Sequence, residues 1–190
     1  MDLLKLNLGC GPNQLPGYVN VDLFGSPDVV WDLEQVPWPW DDNSVGEIVI
    51  SHVLEHLGGG TEGLRRVITE MYRVCAGGAM IHVALPHPRH DNFLVDPTHV
   101  RALLPETFHM FSQAQNREWI AKGVSNTPLA LYWNVDLEVV STKVWYDAAW
   151  QDRIQQRTIT TAELQFAVRH HVNVVREFLV SMRVVKDGAR

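Results

Sequence analysis

The feature that most constrains this chain is an apolar run, an amphipathic segment and a second apolar run in close succession. Val45–Ser51 (VGEIVIS) is almost continuously apolar, the pattern of a strand covered on both faces. Thr61–Cys75 then places Leu64, Val67, Ile68, Met71, Tyr72 and Cys75 at helical spacing, so that one stripe faces a core. Thr61 is the expected cap of this helix, Glu62 suits its positive end and Arg73 its negative end, and Gly77-Gly78 are expected to stop it. Ala79–Leu85 follows as a second buried strand. A strand, a helix and a strand in this order argue for a parallel sheet of the α/β class.

Shorter elements surround that unit. Leu3–Leu8 is an apolar-rich run stopped by Gly9-Cys10-Gly11-Pro12, which reads as a strand entering a tight loop. Tyr18–Asp22 and Asp28–Leu33 read as two more short strands. Pro86–Pro105 is rich in Pro, His and Asp and has no periodicity; long loops of this kind in a compact domain are usually functional or disordered. Pro105–Gly123 reads as helical with a glycine stop. Trp133–Tyr146 and Val172–Lys186 are β-rich, with one helix expected between them behind the capping-box pair Thr160 and Glu163. Those last strands are expected to add an antiparallel pair to the parallel sheet.

Composition narrows the partners. With 46% apolar and 20% charged residues, the 190-residue chain can bury a core and is not a disordered or fibrous sequence. A net charge of -6 argues against a general nucleic-acid or other polyanion binder. Residues 1–60 carry Lys5 as their single base, so the glycine-bearing half suits a cationic ligand. Cys10 and Cys75 cannot build a disulfide framework, the start MDLLKLNLGCG has no signal-peptide layout, and no apolar run approaches the ~20 residues of a membrane span. The expectation is a soluble, cytoplasmic protein.

The loop Leu8-Gly9-Cys10-Gly11 lets a ligand approach backbone without side-chain obstruction. A dinucleotide fingerprint would place a third glycine at position 14, which is Gln14, and a phosphate loop would need a Gly-Lys-Ser/Thr triplet that the chain lacks. Asp22, closing the second strand, is positioned to accept hydrogen bonds from both hydroxyls of a ribose; its alternative reading is a strand-end turn residue.

Five stretches in order carry a family resemblance: LNLGCGPNQLPGYVNVD (6–22), VVWDLEQVPWPWDDNSVGEIVIS (29–51), SHVLEHL (51–57), VCAGGAMIHVALP (74–86) and DPTHVRALLPETF (96–108). The sequence resembles the class I S-adenosylmethionine-dependent methyltransferases, and within them small bacterial and phage enzymes of unassigned substrate, some associated with polysaccharide modification. The resemblance implies a Rossmann-like α/β fold with a mostly parallel seven-stranded sheet and an antiparallel last strand. It implies S-adenosyl-L-methionine as cofactor and methyl transfer, by O-methylation, to a small-molecule or carbohydrate acceptor. Carried over by position, Leu8, Gly9, Cys10 and Gly11 would lie under the methionine part of the cofactor, and Asp22 would bind the ribose hydroxyls. Asp32 would accept from the adenine amino group, with the backbone of Leu33 beside the ring, and Ser51 and His52 would border the sulfonium and its methyl. One domain over 1–190 is expected, with a cofactor-binding half (1–85), an acceptor-side loop with helices (86–132) and a C-terminal strand pair with a helix (133–190). One departure stands out: the link between the first two strands is shorter than the roughly a dozen residues that a crossover helix needs.

The histidines allow other readings. His52-Val53-Leu54-Glu55-His56 matches H-x-x-E-H, in which two histidines one helical turn apart bind zinc, so a metal-dependent hydrolase using His52, Glu55 and His56 is the enzymatic rival. No third protein ligand is visible in the sequence, and no metal site is expected. His87, His90, Asp91, Asp96 and His99 form a second cluster in the long loop, which emerges beyond the carboxyl ends of the strands where open α/β sheets bind ligands and so is the expected acceptor wall; a carboxylate–histidine site for a divalent ion is its alternative reading. For a hydroxyl acceptor, a neutral His99 oriented by Asp96 is the first candidate base and His52 the second. Arg89 and Arg101 nearby suit a neutral or mildly anionic acceptor. A non-catalytic, cofactor-binding scaffold is the remaining alternative.

Overall fold

The computed structural model describes residues 3–58 and 60–186. The strand–helix–strand unit is present as β4 (Val45–Ser51), α1 (Thr61–Val74) and β5 (Cys75–Pro86), with β4 and β5 parallel. Before it come β1 (Leu4–Leu8), β2 (Val19–Asp22) and β3 (Val29–Val30); after it come α2 (Asp91–Leu94), a 3-10 helix (Pro105–Phe111), α3 (Gln113–Ala121) and α4 (Leu129–Trp133). The chain then runs through β6 (Leu137–Tyr146), α5 (Ala148–Gln155), α6 (Thr161–His170) and β7 (Val175–Val184). The seven strands form one sheet in the order β3-β2-β1-β4-β5-β7-β6. The first five run parallel to one another, and β7 runs antiparallel to both β5 and β6. Among the described residues, no helix is long and apolar enough to cross a membrane.

Register puts Leu6, Leu8, Ile48, Ile50, Ile81, Val83, Val180 and Met182 on one face, all buried. They form one cluster with Leu64, Val67, Ile68 and Met71 of α1, with Phe108 and Phe111 of the 3-10 helix and with Trp38. The opposite face is polar. Glu47 receives the Tyr18 hydroxyl at 2.7 Å and pairs with Lys5 at 2.9 Å, while His82 Nδ1 lies 2.8 Å from Ser181 Oγ. β4 is therefore covered on one face rather than two: Val45, Ile48 and Ile50 are buried, and Glu47 and Val49 only partly so. The reason is topological, because among the described residues α1 is the one helix in the run from β1 to β5. Crossover helices are what normally bury both faces of a parallel sheet.

Several local expectations are corrected. Thr61 does not cap α1; it is the first helical residue, and the cap is Gly60 in an extended conformation with no side-chain bond. Gly77 and Gly78 do not stop the helix, which ends at Val74 and leads directly into β5. The glycines instead sit in a bulge where pairing jumps from Val45↔Cys75 to Glu47↔Met80, and Gly78 takes up the positive φ of 84°. The strand expected over Asp28–Leu33 is confined to Val29–Val30, and Trp133 belongs to α4 rather than to a strand. Pro105–Gly123 is broken at Ser112, which caps α3 by accepting from the Gln115 N–H. Two helices rather than one separate β6 from β7; the second starts at the Thr160–Glu163 capping box as expected.

A buried ion pair fastens α1 to the loop ahead of β4. Glu70 accepts the Trp38 backbone N–H at 2.6 Å and two bonds from Arg73 at 2.8 Å, and Arg73 also donates to the carbonyls of Trp38 and Trp40 and to Asp42. Burial acts to raise the Glu70 pKa. The Arg73 bonds, the Trp38 N–H and the Arg73 charge together outweigh it and hold the carboxyl below its usual range. A carboxyl with a depressed folded pKa contributes stability that is present above its unfolded value near ~4.3 and is lost as pH falls through the folded value. Glu70→Gln is therefore expected to lower unfolding free energy by about 1.5–3 kcal/mol at neutral pH. Urea titrations should show that difference shrinking below about pH 4, where the wild-type carboxylate takes up its proton.

Candidate functional site

A cleft of about 540 Å³ opens beyond the carboxyl ends of β1, β2 and β4. Its floor is the glycine loop. Gly9 (φ 65°) and Gly11 (φ 49°) both occupy left-handed backbone, and a Cβ on Gly9 would fall 2.2 Å from Cγ2 of Val53, itself a cleft residue. The N–H groups of Gly9 and Cys10 both donate to the Val21 carbonyl, at 2.8 and 3.0 Å, which fixes the loop against β2. Behind it, Asn20 Oδ1 accepts from Asn7 Nδ2 and from the Leu15 N–H, while Asp28 receives both the backbone N–H and the side-chain amide of Asn20.

Asp22 stands at the loop's edge. Its Oδ2 accepts the Gly11 N–H at 2.8 Å and its Oδ1 the Phe24 N–H at 3.0 Å. A carboxylate has about four acceptor directions, so two remain for a ligand in the cleft. Across the cleft Asp32 accepts from the Glu34 N–H at 2.9 Å through one oxygen. Leu33, Leu23, Phe24 and Trp31 supply the apolar wall; Phe24 is 77% exposed, so its ring is free to cover a planar ligand. This combination of two acids, bare backbone and aromatic surface matches what a ribose diol, a flat base and a cationic centre require.

His52 closes the other end. Its backbone is left-handed (φ 55°), which turns the side chain off the end of β4 into the cleft wall. Its ring nitrogens lie 3.5 Å from Glu55 and 3.3 Å from Glu177. The Glu55 carboxylate beside it, then the charge of Glu177, raise its pKa against the opposing effect of burial.

Of the residues expected to hold a cofactor, Gly9, Gly11, Asp22, Asp32, Leu33 and His52 line this cleft. Leu8 and Cys10 are buried beneath it, and burial, then the charge of Asp22, pushes the Cys10 thiol up, as befits a packing residue rather than a nucleophile. Ser51 is exposed and lies outside the lining. The H-x-x-E-H template fails physically: residues 52–57 form turns, not a helix, and His52 turns toward Glu177.

The loop cluster is also divided. His87 and His90 are buried against the C-terminal elements; His90 caps α2 and lies 3.4 Å from Asp147, and burial lowers the His87 pKa. Asp96 and His99 go the other way, to His56. His99 does not line the cleft, and its Nε2 is 3.8 Å from Asp96, too far for an orienting hydrogen bond. Arg89 and Arg101 are occupied with backbone carbonyls, of Arg169 and of Gly58 and Gly60 respectively. Sequence reasoning missed Leu23, Phe24, Trp31, Val53, His56 and Leu57 in the wall. Only the position of Leu23 and Phe24 directly after Asp22 could have signalled them.

No family model and no curated protein matches the chain. Solved structures do. An S-adenosylmethionine-dependent methyltransferase from Archaeoglobus fulgidus aligns over 95% of this chain and 86% of its own, at 16% identity and a TM-score of 0.57. One from Mesorhizobium loti aligns over 95% and 90%, at 15% identity and 0.50, and one from Methanosarcina mazei over 98% and 94%, at 14% identity and 0.50. At such identities the likeness is one of architecture, and the chain has the fold of the S-adenosylmethionine-dependent methyltransferases.

Proposed function

We propose that this protein transfers a methyl group from S-adenosyl-L-methionine to a hydroxyl of a small-molecule or carbohydrate acceptor. The observation that carries the reading is the convergence of Gly9, Gly11, Asp22, Asp32 and His52 on one cleft at the carboxyl ends of the strands, in a methyltransferase fold. Ligands of open α/β sheets bind at that end. When bound, the cofactor supplies an electrophilic methyl on a sulfonium and leaves as a neutral thioether. Asp22, pinned by the Gly11 and Phe24 N–H groups, offers its remaining lone pairs to the ribose hydroxyls, and Asp32 offers its free oxygen to the adenine amino group. The left-handed glycines leave room for the methionine portion. His52 borders the methyl and orients the acceptor against it, and positioning of this kind is most of the catalysis that an in-line displacement needs. The base role weighed for His99 is not carried forward, because that ring stays off the cleft wall. The net charge of -6 and the cleft's acids favour a small acceptor over a polyanionic one.

Two measurements test this reading. Asp22→Ala removes charge-assisted bonds of about 1.5–3 kcal/mol each, so calorimetry on the folded variant should show S-adenosylmethionine binding weakened at least about tenfold. Unchanged affinity would remove the ribose assignment. His52→Asn keeps a residue type that tolerates left-handed backbone and removes the imidazole. With labelled methyl donor and pooled sugars and metabolites, turnover should fall about a hundredfold, the scale of a misplaced reactant, while the fold is retained by circular dichroism. Full turnover in that variant would show that His52 does not meet the acceptor.

A further inference from the structure

The residues that the H-x-x-E-H and long-loop patterns offered separately meet in space, in a combination that neither pattern contains. Glu55 and His56 lie on the turn after β4, and His99 comes from the loop after β5. The backbone N–H groups of Val100 and Arg101 donate to the Glu55 carbonyl at 2.9 and 3.2 Å and stitch the two segments together. One ligand atom from each of Glu55, His56 and His99 lies within 4.8 Å of the other two.

The hydrogen bonds around this cluster fix the tautomers of its two imidazoles. The Phe93 carbonyl can only accept, so His99 Nδ1, 2.8 Å away, carries a proton and leaves Nε2 with a bare lone pair. Thr98 Oγ1 gives its proton to Asp96 Oδ1 at 2.6 Å and therefore accepts from His56 Nδ1 at 2.9 Å, which leaves His56 Nε2 bare as well. Both carboxylate oxygens of Glu55 are buried without a hydrogen-bond partner among the described residues, and the residue is 1% exposed. His52 approaches one of them at 3.5 Å, in an ion-pair contact that does not amount to a hydrogen bond. His99 Nε2 also faces Asp96 Oδ2 at 3.8 Å. Glu55, His56 and His99 thus gather acceptor atoms that lack hydrogen bonds in one cluster, and burying a carboxylate without hydrogen bonds is costly.

We propose that Glu55, His56 and His99 bind a single divalent transition ion of the zinc type. Two imidazoles and one carboxylate are a zinc donor set that leaves a position open, and nitrogen donors select such ions over magnesium or calcium. Ligand atoms about 2.0–2.1 Å from an ion stand about 3.3 Å apart, so an ion would draw the three atoms in from separations of up to 4.8 Å. The outer partners are already built: Thr98, backed by Asp96, holds His56, and the Phe93 carbonyl holds His99. His56 belongs both to this cluster and to the cleft wall, so the ion stands one side chain from the cleft. From there it can polarise an acceptor hydroxyl, a role that rests on the methyl-transfer reading; the binding of the ion does not.

The test is calorimetric titration of chelator-stripped, untagged protein with Zn²⁺, paired with the visible spectrum of the Co²⁺-loaded form. One ion per chain is expected, with Co²⁺ bands of a nitrogen–oxygen site. Glu55→Gln and His99→Ala, checked for folding by circular dichroism, should each weaken binding about a hundredfold. Thr98→Val, which touches no ion, should weaken it about 10–100-fold. Absence of saturable binding, or binding unchanged in folded Glu55→Gln and His99→Ala, overturns the site. S-adenosylmethionine affinity measured on the same samples separates the two readings, since zinc binding without cofactor binding would remove the methyl-donor assignment and leave the metal site standing.

Discussion

Ten residues separate β1 from β2, and the sheet is organised around that short link. A parallel pair joined by residues 9–18 has no room for a crossover helix, so one face of the sheet receives none between β1 and β4. The strands answer with alternation: apolar side chains on the face under α1, and Lys5, Glu47 and His82 on the other. The same shortage removes the helix that would hold the glycine loop from below. Side chains take over, with Asn7, Asn20 and Asp28 bracing the loop and Asp22 gripping Gly11.

Two buried carboxylates show how differently one fold can treat the same group. Glu70 receives three hydrogen bonds and holds the 38–42 segment, with Trp38 buried in the core. The Glu55 carboxylate receives none among the described residues, although it is more deeply buried. Two carboxylates of similar intrinsic pKa thus serve a structural clasp in one place and an open coordination sphere in the other. The difference lies in what stands around them: an arginine and a backbone N–H on Glu70, the imidazoles of His56 and His99 near Glu55.

Much of the fold was legible because periodicity is a local property. The β4–α1–β5 unit, the seven strands and the capping box at Thr160 follow from spacing and turn chemistry alone. The Gly77-Gly78 bulge was misread as a helix stop because a left-handed glycine serves both purposes, and pairing with β4 decides between them. α5 was hidden inside a stretch whose neighbours are β-rich. In the site, the glycine loop and Asp22 could be read from their places at strand ends, and Asp32 only from the family resemblance. The wall from Leu23, Trp31 and Leu57, and the meeting of His56 with His99 across more than forty positions, depend on tertiary folding that no spacing rule encodes.

The left-handed backbone at His52 ties conformation to chemistry in a single position. Few side chains accept that geometry without a cost of roughly 1–2 kcal/mol, and the ones that do are glycine, asparagine, aspartate and histidine itself. Variation at this site is thus filtered twice, once by what the chain can bend to and once by what faces the ligand. A survey of substitutions there would find large, imidazole-like or amide replacements such as glutamine failing alongside alanine, for reasons of backbone rather than of reactivity. Only the asparagine and glycine variants isolate what the ring itself contributes.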